Sequence, residues 1–201
     1  MASAVVFEGV SGHGMMLDPP NRSSLWRYDP TAPINYNDNE VFCGGFGTQW
    51  GVHKGKCGVC GDNYGDRIPR NNENTGKYGQ GKVVAQYPSG SVISTMVRLT
   101  SNHKGTFKYS LCELGDPSQP ETEQCFQTLL FEDGSDEQKV DPTVKDFQNR
   151  IVLPSGLRCK RCVLRWTYRT GNNWGTCEDG STGPGCGPQE TFKNCADISI
   201  I

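Results

Sequence analysis

The sequence predicts an all-β protein, an antiparallel β-sandwich carrying long disulfide-bonded loops. Three observations lead there. With 25 Gly and 12 Pro among 201 residues and only 34% hydrophobic residues, the chain is loop-rich, and a helical bundle is excluded. Its second half alternates apolar and polar residues in short runs separated by Gly, Pro and Asn, the pattern of half-buried strands. Ten cysteines, an even count, suit an oxidising compartment where bridges reinforce a modest core. Charge excludes further classes: 20 Lys+Arg face 22 Asp+Glu for a net −2, with no basic block, so neither nucleic acid nor a polybasic membrane contact is expected. No apolar run approaches the ~20 residues of a membrane-spanning helix.

The elements follow in chain order. Residues 1–12 read as a leader, with a short apolar patch at Ala4–Phe7 and a small-residue end at Val10-Ser11-Gly12. The stretch is short, lacks a basic start and is interrupted by Glu8, so it reads as the remnant of a secretory signal cut after Gly12. Residues 13–201 are then one domain, secreted and monomeric. The cut makes His13 the first residue. A histidine there is chemically distinct, because its free amine (pKa ~8) and its ring nitrogen can chelate one metal together. One imidazole from elsewhere would complete three nitrogens in a T, which suits tetragonal Cu(II).

Residues 14 to about 80 are expected to be irregular, with Pro, Asn, Asp and Gly scattered through Asp18-Pro19-Pro20-Asn21, Asp29-Pro30 and Asn35-Tyr36-Asn37-Asp38. Loops this long are usually functional. Asn21-Arg22-Ser23 is a glycosylation sequon, but a glycan so near His13 would crowd that residue, which argues against its occupancy. Strands are predicted from Lys82 onward. Val92–Thr100 puts Ile93, Thr95, Val97 and Leu99 on one face, and Thr106–Cys112 alternates Phe107, Tyr109 and Leu111 with Lys108 and Ser110. Arg150–Leu153 and Cys162–Tyr168 follow, the latter with Leu164, Trp166 and Tyr168 in register, and Thr191–Ile200 closes the chain. Thr143–Gln148 reads as a helical turn.

Ten cysteines can pair in about 945 ways, so connectivity is not legible. Cys57-x-x-Cys60 and Cys159-x-x-Cys162 offer a rival zinc site. The two pairs lie about 100 residues apart, against ~15–20 in a zinc ribbon, and six cysteines would be left over, so bridges are the better reading.

Candidate chemistry gathers at few residues. Of three histidines, His103 sits in a polar turn, Thr100 to Gly105, between two predicted strands, where a side chain can face a large partner. His53, between Trp50 and Cys57, reads as structural or surface. Glu190 and Phe192 lie two apart and share a face if the strand is regular. Gln189 points the other way. A hydrolase would need two carboxylates across a cleft, and the 22 acids are dispersed with no pair standing out.

The stretch His13-Gly14-Met15-Met16-Leu17-Asp18-Pro19-Pro20-Asn21-Arg22 resembles the start of mature lytic polysaccharide monooxygenases. Phe42-Cys43-Gly44-Gly45-Phe46 and Gly55-Lys56-Cys57-Gly58-Val59-Cys60-Gly61-Asp62 narrow the resemblance to auxiliary activity family 15, the chitin-binding type-4 kind of domain. Tyr78-Gly79-Gln80-Gly81, Gly171-Asn172-Asn173-Trp174-Gly175, Gly185 to Glu190 and Cys195-Ala196-Asp197-Ile198 agree with it through to the C-terminus. The resemblance implies an immunoglobulin/fibronectin-III-like sandwich whose flat face bears one type-2 copper ion in a histidine brace: the His13 amine and ring, and the His103 ring. Phe192 matches the axial side of the copper, where a phenyl ring offers no oxygen, and Ser101 stands beside it. Glu190 is the candidate to orient an oxygen species or shuttle a proton. The implied partners are an external electron donor, dioxygen or hydrogen peroxide, and an insoluble polysaccharide. Chitin, with cellulose as a second substrate, would be oxidised at C1 to an aldonic acid end. Trp26, Tyr28 and Tyr36 are candidate polymer contacts, with loop packing as the alternative for all three. A non-catalytic chitin-binding module of the same fold is the alternative function.

Overall fold

The computed structural model describes residues 12–201; of the leader expected over 1–12, only Gly12 lies within the described residues. The described strands are β1 (His13–Asp18), β2 (Ala85–Tyr87), β3 (Val92–Ser101), β4 (Thr106–Glu113), β5 (Gln127–Leu129), β6 (Gln138–Lys139), β7 (Asp146–Val152), β8 (Cys159–Arg169), β9 (Trp174–Thr176), β10 (Thr182–Pro184) and β11 (Thr191–Ile200). One sheet has the order β1-β3-β7. A larger one runs β2-β11-β8-β4-β5, with β6 also paired to β4, and β9 and β10 pair antiparallel as a separate two-stranded sheet. All pairs are antiparallel except β2 beside β11. This is the expected β-sandwich, with one parallel edge added.

Alternation decides which faces meet. Ile93, Thr95, Val97 and Leu99 of β3 are buried, as their period predicts. They face an aromatic row on the larger sheet. The Phe107 ring meets Trp166 at 5.3 Å and Tyr168 at 5.2 Å, both edge-on, and Tyr168 stacks on Phe192 at 5.6 Å. Each such pair adds about 0.5–1.5 kcal/mol beyond the area it buries. Phe42 extends the row to the loop region, 5.8 Å from Phe192.

In β4, β8 and β11 the alternation breaks, and runs such as Cys162–Tyr168 are buried almost throughout. The cause is a second covering layer. Part of the loop region between β1 and β2 lies on the outer face of the larger sheet, where Cys60 joins Cys112, Val163 and Cys195 in a small core against Phe126. Buried Arg22 pins that layer: its guanidinium donates to Asp197 through Nε and Nη2, both at 2.8 Å, and to Glu121 and the Asn72 carbonyl through Nη1. Asn21 caps the 3₁₀ turn Arg22–Arg27, and its own amide donates to the Met16 carbonyl at 2.7 Å. The sequon asparagine is therefore buried and committed, which leaves no amide free to carry a glycan in the folded chain.

Five bridges use all ten cysteines: Cys43–Cys57, Cys60–Cys195, Cys112–Cys125, Cys159–Cys162 and Cys177–Cys186. The rival zinc reading loses its thiolates. Even where Cys60 and Cys195 converge with Glu121, the two sulfurs are bonded to each other.

Two expectations are corrected. Asp146–Gln148, read as part of a helical turn, opens β7, because Met96, Val97 and Arg98 of β3 pair with it and Arg98 clasps Asp146 across the strands at 2.6 and 3.0 Å. Residues 14–18, expected to be irregular, belong to β1; Met15, Met16 and Leu17 are buried by pairing with β3.

Candidate metal centre

Strand register creates the site. β1 pairs with β3 so that His13, its first residue, lies opposite Ser101, the last of β3. Two residues on, the β3–β4 turn carries His103. That turn reverses tightly: Lys104 and Gly105 have φ of +57° and +90°. A Cβ on Gly105 would fall 2.0 Å from the Arg169 carbonyl oxygen, so only glycine fits. Asn102 braces the turn from outside, donating to the Asp141 and Val144 carbonyls at 2.9 and 2.7 Å.

His103 is held on every side. Its amide donates to the Tyr168 hydroxyl at 3.0 Å, and its carbonyl accepts from Gly171 N at 2.9 Å. On the ring, Asn172 Nδ2 lies 3.0 Å from Nδ1 and Ser101 Oγ lies 3.1 Å from Nε2. The residue is 8% exposed. Burial, and then the neighbouring His13 imidazole, push its pKa below the usual histidine value. Both effects favour the neutral imidazole, the form that binds metal.

His13 is half-exposed, and its Nε2 lies 2.9 Å from Glu40 Oε1. Around its backbone nitrogen, Glu190 and Phe192 converge on Gly12. Glu190 Oε2 accepts the Gly12 amide at 2.8 Å. A Cβ built on Gly12 would sit 3.1 Å from Glu190 Oε2, 3.3 Å from the Phe192 ring and 3.4 Å from His103 Nδ1. A carboxylate, a phenyl ring and an imidazole thus enclose one small space next to the His13 nitrogen, and Gly12 fills it. With Gly12 removed, the donors bordering that space are the His13 amine, the His103 imidazole and the Glu190 carboxylate, and the amine carries the His13 ring with it, a donor set that fits an N-rich tetragonal metal centre.

Other expected residues fall as follows. Trp26 is half-buried, edge-on to Tyr36 at 5.5 Å and under the Arg27 guanidinium at 4.8 Å, so it packs the loop. Tyr28 and Tyr36 present open faces; Tyr36 is 78% exposed. Gln189 is buried and donates to the Asn173 and Cys186 carbonyls at 2.9 and 2.7 Å, which clamps the base of the β9–β10 hairpin. His53 packs against Tyr64. Three residues escaped sequence reasoning. Glu40 and Asn172 touch the two histidine rings, yet a polar side chain in a loop carries no periodic signal. Trp174, 71% exposed on β9, lies two residues from Asn172, and a single exposed ring in a glycine- and asparagine-rich loop carries no periodic signal either.

Residues 13–198 match the family described as "Lytic polysaccharide mono-oxygenase, cellulose-degrading". The chain is similar to the structure of "Lytic Polysaccharide Monooxygenase AA15 from Thermobia domestica in the Cu(I) State", at 45% identity and TM-score 0.91, covering 94% of this chain and 98% of that one. It shares the fold of a cellulose-active enzyme in complex with copper (18% identity, TM-score 0.58, 93% and 98% covered) and of an AA10 lytic polysaccharide monooxygenase from Streptomyces lividans (13%, 0.55, 93% and 99%). No curated protein matches.

Proposed function

Because the chain belongs to the lytic polysaccharide mono-oxygenase family and is a copper-dependent oxidoreductase, we propose that it is a secreted enzyme that cleaves crystalline chitin at C1, with cellulose as a second substrate. His13, freed by cleavage after Gly12, would hold the copper through its amine and ring together with the His103 ring. The observation that carries this reading is the Gly12 cradle: Glu190, Phe192 and His103 close on one point beside the His13 nitrogen. Five bridges and the lack, among the described residues, of a helix long and apolar enough to cross a membrane support secretion.

Bound there, copper would supply the redox chemistry that activates dioxygen or hydrogen peroxide toward a glycosidic C–H bond, with an external electron donor as the implied partner. The chain's own residues govern what reaches it. Phe192, fully buried and stacked on Tyr168, offers carbon and no oxygen to the cradle, so the protein oxygen there comes from Glu190. Glu190 loses the Gly12 amide on cleavage and turns its carboxylate to the vacated space, where it holds or passes a proton. Ser101 Oγ, beside the His103 ring, adds a further hydrogen-bonding group. Tyr28, Tyr36 and Trp174 give the exposed rings on which sugar faces stack. An open polar cavity of about 310 Å³ bordered by Glu40, Asn35, Asn37, Asn63, Asp66 and Tyr78 offers oxygens to the hydroxyl or acetamido hydrogens of a sugar chain.

The chain starting at His13, given chitin, a reductant and dioxygen or hydrogen peroxide, is expected to release oligosaccharides with aldonic acid ends, read by mass spectrometry. Native-ended sugars alone, or none from any polysaccharide, would defeat the reading; oxidised products from cellulose only would remove chitin.

A further inference from the structure

We propose that Glu40 is a positioning residue for His13: its carboxylate selects the ring tautomer that leaves Nδ1 to bind metal. The proposal rests on the brace reading above and concerns which nitrogen that ring presents.

An ionised carboxylate only accepts hydrogen bonds. His13 Nε2, 2.9 Å from Glu40 Oε1, therefore carries the hydrogen. In a neutral imidazole the other nitrogen, Nδ1, then keeps its lone pair. That is the nitrogen an amino-terminal histidine needs. Nδ1 lies close enough to the residue's own backbone nitrogen to share an ion with it, whereas Nε2, on the far side of the ring, does not. With the opposite tautomer the lone pair would face Glu40 and repel it. A carboxylate partner also raises the donor strength of the ring it holds.

The surroundings of Glu40 are built to deliver it. Its neighbour Asn39 accepts the Gly14 amide at 3.0 Å and donates to Thr100 Oγ1 at 3.1 Å, so the segment is tied to β1 and β3 on either side of His13. Glu40 N donates to the Asn37 carbonyl at 3.0 Å. Asp38, fully buried, takes the Arg27 guanidinium at 2.6 and 2.9 Å. A segment clamped at residues 37, 38 and 39 leaves only the Glu40 side chain to order. Its carboxyl is 38% exposed, where an ion pair adds little to folding. The consequence is therefore expected in metal binding and not in stability.

The test uses the chain starting at His13 and Cu(II) alone. Calorimetric titration and electron paramagnetic resonance of the unaltered chain check the brace reading first; absence of tight binding with an axial three-nitrogen spectrum overturns that reading, whatever Glu40 does. Glu40→Ala is expected to weaken Cu(II) binding about 10–100-fold, with an altered spectrum and an unchanged melting midpoint of the metal-free chain. Glu40→Gln keeps an accepting oxygen and should recover most of the affinity. Long-range ¹H–¹⁵N correlation on the metal-free protein should show His13 as the Nε2–H tautomer, and a mixture in Glu40→Ala. Glu40→Ala with unaltered affinity, spectrum and tautomer would overturn the proposal while leaving the brace intact.

Discussion

A chain that keeps Gly12 ahead of His13 is expected to lose tight Cu(II) binding, with a larger drop than the ~10–100-fold that follows loss of a residue supporting a ligand. Two causes act together. In a peptide bond the His13 nitrogen shares its lone pair with the Gly12 carbonyl and cannot donate it, whereas a free amine of pKa ~8 yields its proton to a metal near neutral pH. Gly12 also stands in the space that Glu190, Phe192 and His103 surround. The same chain should fail to release oxidised sugars. His103→Ala in the matured chain is expected to abolish tight binding as well, since it removes an imidazole that Tyr168, Gly171, Asn172 and Ser101 hold in place. Isothermal titration of matched chains, each with its amino terminus established by mass analysis, decides both. Equal affinity with and without Gly12 would remove the His13 amine from the site; unchanged affinity in His103→Ala would remove that ring.

The largest effect on stability is expected from opening Cys60–Cys195. The two residues are 135 apart in sequence, and closing so long a loop restricts the unfolded chain by about 5 kcal/mol in the chain-entropy account. Cys177–Cys186 spans only 9 residues and is worth about 3 kcal/mol on the same account. Domains of this kind hold ~5–15 kcal/mol in all. Cys60→Ser/Cys195→Ser should therefore unfold at a far lower urea concentration than Cys177→Ser/Cys186→Ser, and urea titration of the two compares them. The longer bridge has a second consequence. It ties the covering loops to β11 three residues beyond Phe192, so its loss should also weaken copper binding. A urea midpoint no lower than that of the Cys177–Cys186 variant would contradict the argument.

The long strands of the two sheets were legible, while β2, β5, β6, β9 and β10, only two or three residues each, were not. β11 has the bounds that alternation predicts, and β3 extends one residue further. These strands have one face on the core, and a period of two is enough to find them. β8 begins three residues before its prediction, because Cys159–Val163 contacts both the core and the covering loops and the alternation fades. β1 was not legible at all. Gly14-Met15-Met16-Leu17 has no alternation, and Pro19-Pro20 directly follows; only the pairing with β3 makes it a strand.

The sequence by itself determined the β-sandwich, the dependence on bridges, and a family resemblance rich enough to name His13 and His103. These depend on local periods, residue counts and contiguous blocks, all of which a linear string carries. Tertiary structure alone decided which cysteines join, that His13 lies opposite Ser101, and that Glu40 and Asn172 reach the two rings. Each of those is a meeting of residues from separate elements, set by strand register and by how the loops fold over a sheet. Register is a choice among pairings of whole strands that the packed core makes, and no single residue encodes it.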